Sequence, residues 1–360
     1  LLLLLPAALG VLLGRVARSA FVAPLAVVAV LAVTMVFVAE AGSPAWLRGL
    51  TPVLFDEGAR PLPSDLVGRP AAWHALYLLA LAVLVAAGAV LVRGGRAAGV
   101  LTSDGEKVAA RRAVLADVSA PSLYGELVDA EHLPPQLTAD LKRFQWDFAT
   151  FKVDWACDGP VPWRAEAAAR AGTVHLADGV DELTRCAAQI AMGQVPDRPF
   201  ALFGQMTTAD PSRSPRGTEA AWAYTHVPHV IKSDAGDDGL TGRWDRTEQE
   251  VMADRVERQV ERFAPGFRSR IRARRVLAPP TLQALDRNLH GGAINGGTAA
   301  LHQQLFFRPA PGTGRPETPV DGLYLASASA HPGGGVHGAP GANAARAALR
   351  RHRPPGGCRP

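Results

Sequence analysis

Gly322-Leu323-Tyr324-Leu325-Ala326-Ser327, then Ala328-Ser329-Ala330-His331-Pro332-Gly333-Gly334-Gly335-Val336-His337-Gly338, then Ala339–Leu349, is the stretch on which the reading of this chain turns. The opening run reads as a buried strand and the closing run as a helix. Between them Gly333, Gly335 and Gly338 fit G-x-G-x-x-G. A glycine loop in that setting lets main-chain N–H groups approach a phosphate, and the helix N-terminus adds about half a positive charge. The acid that a dinucleotide fold places ~20 residues further on is absent, because an Arg/Pro/Gly stretch follows. So this is not the first βαβ unit of such a fold. On pattern alone, a glycine turn without ligand remains the alternative.

Upstream of this stretch the chain reads as mixed α/β. Ala97–Thr102 and the run from Lys107 flank Ser103-Asp104-Gly105-Glu106, and Asp-Gly between strand-like runs predicts a hairpin. The spacing of Leu137, Leu141 and Phe144 predicts a helix near 134–144. Phe151–Trp155, Phe200–Thr207, Ala220–Pro228 and Phe267–Val276 read as strands. Asp178–Met192, Thr247–Phe263 and the segment from Pro279 read as helices, with Pro280 suited to a first turn.

The first hundred residues differ in texture. They hold seven Lys+Arg and four Asp+Glu of the 38 and 33 in the 360-residue chain. Ser19–Val38 and Ala71–Val92 carry no charge and are each long enough to cross a hydrocarbon core of ~30 Å at ~1.5 Å per residue. They predict a transmembrane helical hairpin over 19–38 and 71–92 within a membrane segment 1–93. Arg15, Arg18, Arg93 and Arg96 flank it, which puts the soluble block on the cytoplasmic side of a lipid bilayer. In texture the pair resembles a helix pair of a bacterial ABC-type permease.

The composition excludes several classes. Three Cys cannot staple a chain of this size, and Cys157, Cys186 and Cys358 share no redox spacing. A net charge of +5 without finger spacing or a base-reading helix argues against a nucleic-acid partner. His226-x-x-His229 has no acid or Cys cluster to complete a metal site. His331 and His337 read as hydrogen-bonding partners of the loop, and Trp146, Trp155 and Trp163 as core.

Tyr324–Ala345, with Gln303-Gln304-Leu305-Phe306-Phe307-Arg308-Pro309 and Thr318-Pro319-Val320, resembles the C-terminal segment of phytoene desaturase-like FAD-dependent oxidoreductases. Within them it is similar to the pyridine nucleotide-disulphide oxidoreductase domain-containing protein 2 group. Gly99–Asp117 resembles the mid-chain hairpin of that family. Asp210–Gly217, Trp222-Ala223-Tyr224 and Val227-Pro228 resemble its substrate-domain signature.

The resemblance implies the C-terminal part of an FAD-dependent amine-oxidase-like fold. Residues 94–118 and 320–349 would be remnants of the FAD-binding domain. Residues 119–319 would form a substrate domain of mixed sheet and helices, and 350–360 a disordered basic tail. It implies hydride removal from an apolar small-molecule substrate to FAD. It places Ser327, Gly333, Gly334, Gly335, Val336 and Gly338 against the flavin, with Ala339 and Asn343 in the first turns of the following helix. It names no catalytic side chain. Residues 1–93 offer no N-terminal G-x-G-x-x-G unit, so the expectation is a chain that lacks half of its nucleotide domain, truncated and inactive. The alternative is a membrane component of a transporter-like assembly with a non-catalytic C-terminal domain.

Overall fold

The computed structural model describes residues 87–351. These form a mixed α/β fold. Strand β1 (Ala87–Arg93), β2 (Arg96–Thr102) and β3 (Lys107–Ala109) make an antiparallel sheet in the order β1-β2-β3. The β2–β3 hairpin turns at Asp104-Gly105 as expected, with Leu101 opposite Lys107.

The β1–β2 hairpin corrects the expected membrane span over 71–92. Residues 87–92 are strand, not helix. The reason is local. Gly94 and Gly95 both take positive φ, 56° and 74°, and close a two-residue loop between Arg93 and Arg96. Such a loop needs φ > 0 at both central residues, and glycine meets that without steric cost. No helix among the described residues is long and apolar enough to cross a membrane. Residues 19–38 and 71–86 lie outside the described residues.

Strand β4 (Val114–Ala116) leaves the hairpin, and helix α1 (Pro135–Leu141) follows. A five-stranded sheet then dominates. It contains β5 (Ala149–Cys157), β6 (Thr173–Leu176), β8 (Ala201–Gln205), β9 (Glu219–Val227) and β11 (Ile271–Leu277), in the order β11-β5-β9-β8-β6 and antiparallel throughout. Helix α2 (Val180–Ala191) lies between β6 and β8. The short strands β7 (Gln194–Val195) and β10 (Ser233–Asp234) pair in parallel.

One face of the large sheet is core. Phe151, Val153, Trp155, Phe203, Ala221 and Ala223 point there and meet Met252, Val256 and Val260 of helix α3 (Arg246–Phe263). Alternation of buried and half-buried residues along β9 fits a strand with one covered face. Asp245 caps α3 by accepting from Glu248 N–H. Helix α4 (Pro279–Leu285) follows β11.

Strand β12 (Leu323–Leu325) pairs in parallel with β4, Leu323 opposite Val114 and Leu325 opposite Ala116. Helix α5 (Ala339–Arg351) covers this pair, with Ala344 and Ala348 on Tyr324. Arg350 and Arg351 are therefore helical, which corrects the start of the expected tail; residues 352–360 lie outside the described residues.

Under α3 sits a buried ion network. Arg255, 2% exposed, donates to both oxygens of Asp234 at 2.6 and 2.7 Å, to Asp238 at 2.9 Å and to the Pro196 carbonyl at 3.0 Å. Burial works to raise the Asp234 carboxyl. Arg255 and the N–H groups of Leu240 and Gly236 outweigh it and hold the group below its ordinary value. A carboxyl lowered on folding stabilises above its unfolded value of about 3.9, and that contribution is lost as pH falls through the folded value. Arg255→Met leaves Asp234 buried without its main partner and should cost about 3 kcal/mol in urea unfolding. The deficit should shrink as pH falls through the folded value, because only the parent has this contribution to lose, read by urea unfolding at each pH.

Candidate functional site

The glycine loop starts where β12 ends. Ser327 is buried, and its Oγ accepts from Ser329 N–H at 3.2 Å. Gly333 N–H donates to the Ala330 carbonyl at 2.8 Å, closing a tight turn. Gly333, Gly335 and Gly338 take φ of 105°, 143° and 60°, a region that favours glycine.

The eight expected site residues divide. Ser327, Gly333 and Gly334 face protein. A Cβ on Gly333 would meet the Arg308 side chain at 3.1 Å, and one on Gly334 the Asn295 backbone at 2.9 Å. Gly335, Val336 and Gly338 stand at the exposed rim. A Cβ on Gly335 would strike the His337 ring at 2.7 Å, whereas one on Gly338 would meet nothing within 4 Å. Ala339 opens α5, and its N–H donates to His337 Nδ1 at 3.0 Å. Asn343 sits one turn on, its Nδ2 at 3.5 Å from the His331 carbonyl. No acceptor among the described residues receives the main-chain N–H groups of Gly334, Gly335, Val336, His337 or Gly338. They leave a row of free donors beside a helix N-terminus.

Two residues with no role in the sequence reading hold this loop. Arg308 is 1% exposed. Its guanidinium donates to the carbonyls of Ala328 (2.8 and 3.1 Å), Thr298 (3.0 Å) and Asn295 (2.8 Å). Burial pushes this guanidinium below its ordinary value, and the charge of Asp147 opposes the shift. Asp147 in turn accepts from the N–H groups of Ile294 and Asn295, each at 2.9 Å. Ser329 Oγ donates to the Gly296 carbonyl at 2.7 Å. The glycine loop and the segment 294–298 are thus one unit. Arg308 lies in a run quoted above for its resemblance, but nothing in the spacing shows a guanidinium reaching three separate carbonyls.

From Asp147 the chain enters β5 through Phe148, which meets the His226 ring at 6.5 Å between centroids. His226, Tyr224 and Trp222 follow on the face of β9 away from α3. Tyr224 lies 5.7 Å from His226 and 5.9 Å from Trp222, the last two planes 7° apart. Burial lowers the His226 imidazole and raises the Tyr224 phenol, so both stay neutral near pH 7. Trp222 lies flat across Gly204, where a Cβ would come within 2.2 Å of the indole, and its Nε1 donates to Met206 Sδ at 2.9 Å. An aromatic face therefore leads toward the glycine loop. Of the tryptophans read as core, Trp155 and Trp163 pack on Phe203, while Trp146 stacks on His290 at 4.6 Å. His229 Nε2 donates to the Asp147 carbonyl at 2.7 Å.

Arg308→Lys tests the clamp. One ammonium cannot span three carbonyls as a planar fork does, so buried acceptors lose partners. The expected cost is about 2–3 kcal/mol in urea unfolding. Amide hydrogen exchange at Asn295 and Ser329, whose N–H groups are bonded here, should rise before that of the β5–β9 core.

No protein-family model matches the chain. Over 267 residues it is 33% identical to pyridine nucleotide-disulfide oxidoreductase domain-containing protein 2 of Mus musculus, covering 71% of this chain and 44% of that protein. The protein of that name from Rattus norvegicus is 32% identical with the same coverage. A phytoene desaturase (lycopene-forming) of a Paracoccus species is 30% identical over 141 residues, 39% of this chain and 26% of that one. A crystal structure of an oxidoreductase from Methanosarcina mazei superposes with a TM-score of 0.44 at 16% identity, over 73% of this chain and 48% of that one. The chain spans less than half the length of the curated relatives it matches. Over most of its length it is similar to pyridine nucleotide-disulfide oxidoreductase domain-containing protein 2 and, over a shorter stretch, to phytoene desaturase.

Proposed function

We propose that this chain is part of an FAD-dependent oxidoreductase that takes hydride from an apolar small molecule. Homology to oxidoreductases supports the class. The observation that carries the cofactor is the row of free N–H groups from Gly334 to Gly338 at the start of α5. The fit is at the rim. Gly335, Val336 and Gly338 are exposed, and Gly338 has open space where a side chain would stand. Gly334 serves packing against Asn295 instead.

When bound, the flavin supplies the hydride acceptor, and the protein supplies binding, orientation and electrostatics. The N–H groups of Gly335, Val336 and Gly338 and the positive end of α5 stabilise negative charge placed beside them. His337 holds the Ala339 N–H and fixes the first turn. Arg308 and Asp147 fix where the loop sits relative to Phe148. Phe148, Tyr224 and Trp222 offer an apolar surface that keeps water from the reacting bond. In this reading, β4, β12 and α5 belong to the nucleotide side and the five-stranded sheet to the substrate side.

Gly338→Asn tests the reading without disturbing packing, since asparagine tolerates positive φ and the position is open. The parent protein should take up FAD in equilibrium dialysis and show visible flavin bands. The variant should take up at least about tenfold less, a loss of ~1.4 kcal/mol, with unchanged circular dichroism. A parent that takes up no FAD, or a variant that equals it, contradicts the proposal.

A further inference from the structure

The open face of the large sheet carries more than apolar rings. Trp222 lies flat on Gly204, so one face of the indole meets the sheet and the other faces away from it. Tyr224 is tilted from it by only 7°, with the centroids 5.9 Å apart. The two nearly parallel rings together present an aromatic tile on this side of the sheet. Such a tile matches a flat molecule, because stacking needs parallel faces and a kinked chain gains contact with one ring only.

Charge gathers at the edge of the tile. In the register of β5 and β9, Lys152 stands opposite Tyr224 and Asp154 opposite Trp222. Lys152 and Asp154 form an ion pair, and Lys152 Nζ lies 6.0 Å from the Trp222 ring centre. Arg275 of β11 stands opposite Asp154 on the same face, is exposed, and pairs with no carboxylate among the described residues. Two cations thus border the tile against one acid. That surplus favours an anion, and a carboxylate could draw on Lys152 and Arg275 together.

We propose that this face binds a planar, conjugated amphipathic acid, its body on Trp222 and Tyr224 and its carboxylate toward Lys152 and Arg275. The proposal rests on the reading of the large sheet as the substrate side. It adds a head group that an apolar substrate alone does not require.

Trans-parinaric acid, a conjugated tetraene carboxylic acid, and its methyl ester serve as probes. Each is titrated into the full-length protein and followed by the rise in its own fluorescence. At low salt the acid should bind about tenfold more tightly than the ester, as expected for charge-assisted contacts. The preference should shrink as salt screens the cations. The double variant Lys152→Met with Arg275→Met should bring the acid to the level of the ester and leave the ester unchanged. Trp222→Leu should weaken both probes. Asp154→Asn, a conservative change at a half-exposed side chain, should tighten the acid, because it removes the anion that competes for Lys152. An ester that binds as tightly as the acid overturns the head-group assignment. So does an Asp154→Asn variant with weaker acid binding, and so does failure of both probes to bind. FAD uptake measured on the same preparations separates these outcomes from a failure of the flavin reading.

Discussion

A guanidinium that pairs with no carboxylate among the described residues, buried between two loops, is the constraint on which this structure depends. Arg308 reaches the carbonyls of Asn295, Thr298 and Ala328 and so joins segments far apart in sequence. Its charge is placed where water cannot solvate it, so every donor must be met by protein. The surrounding backbone is shaped for that purpose. Gly333 has no side chain where Arg308 passes, and Gly296 and Gly297 take positive φ beside it. Asp147 completes the arrangement from the other side, accepting the N–H groups of Ile294 and Asn295 while its charge favours the nearby guanidinium.

This clamp links the two chemical surfaces. The glycine loop belongs to the small parallel pair β4–β12 and to α5. The aromatic face belongs to the five-stranded sheet, whose opposite side is filled by α3. Asp147 immediately precedes Phe148, so the segment that orients the loop also begins the aromatic face. A change in the position of 294–298 would therefore move both the free N–H donors and the start of the apolar surface. Under the proposed function, this arrangement would hold the reacting atoms close in a fixed orientation.

Local signals made much of the fold legible. The run Leu323–Leu325 and the glycines after it read directly as strand and loop, and Asp104-Gly105 read as a turn, because each depends on neighbours in sequence. The first strand was hidden for an instructive reason. Hydropathy over 71–92 counts apolar residues without regard to direction, while Gly94-Gly95 reverses the chain and turns Ala87–Arg93 into a strand edge-on to β2. The clamp was invisible because Asp147 and Asn295 are 148 residues apart, and no spacing rule connects them. The tile was hidden likewise. Trp222 and Tyr224 alternate as any strand would, and only the bare Cα of Gly204 shows that the indole lies flat. Of the expected cofactor residues, the sequence distinguished none by exposure: Gly335, Val336 and Gly338 stand at an exposed rim, whereas Gly334 packs inward on a partner loop 39 residues upstream.

The most direct test of the central claim is a crystal structure of the protein soaked with FAD. Difference density for the cofactor across the rim of Gly335, Val336 and Gly338, within hydrogen-bonding distance of their N–H groups, is the result that the account predicts. Density for the cofactor elsewhere on the protein, or a rim that stays empty at saturating FAD, would contradict it.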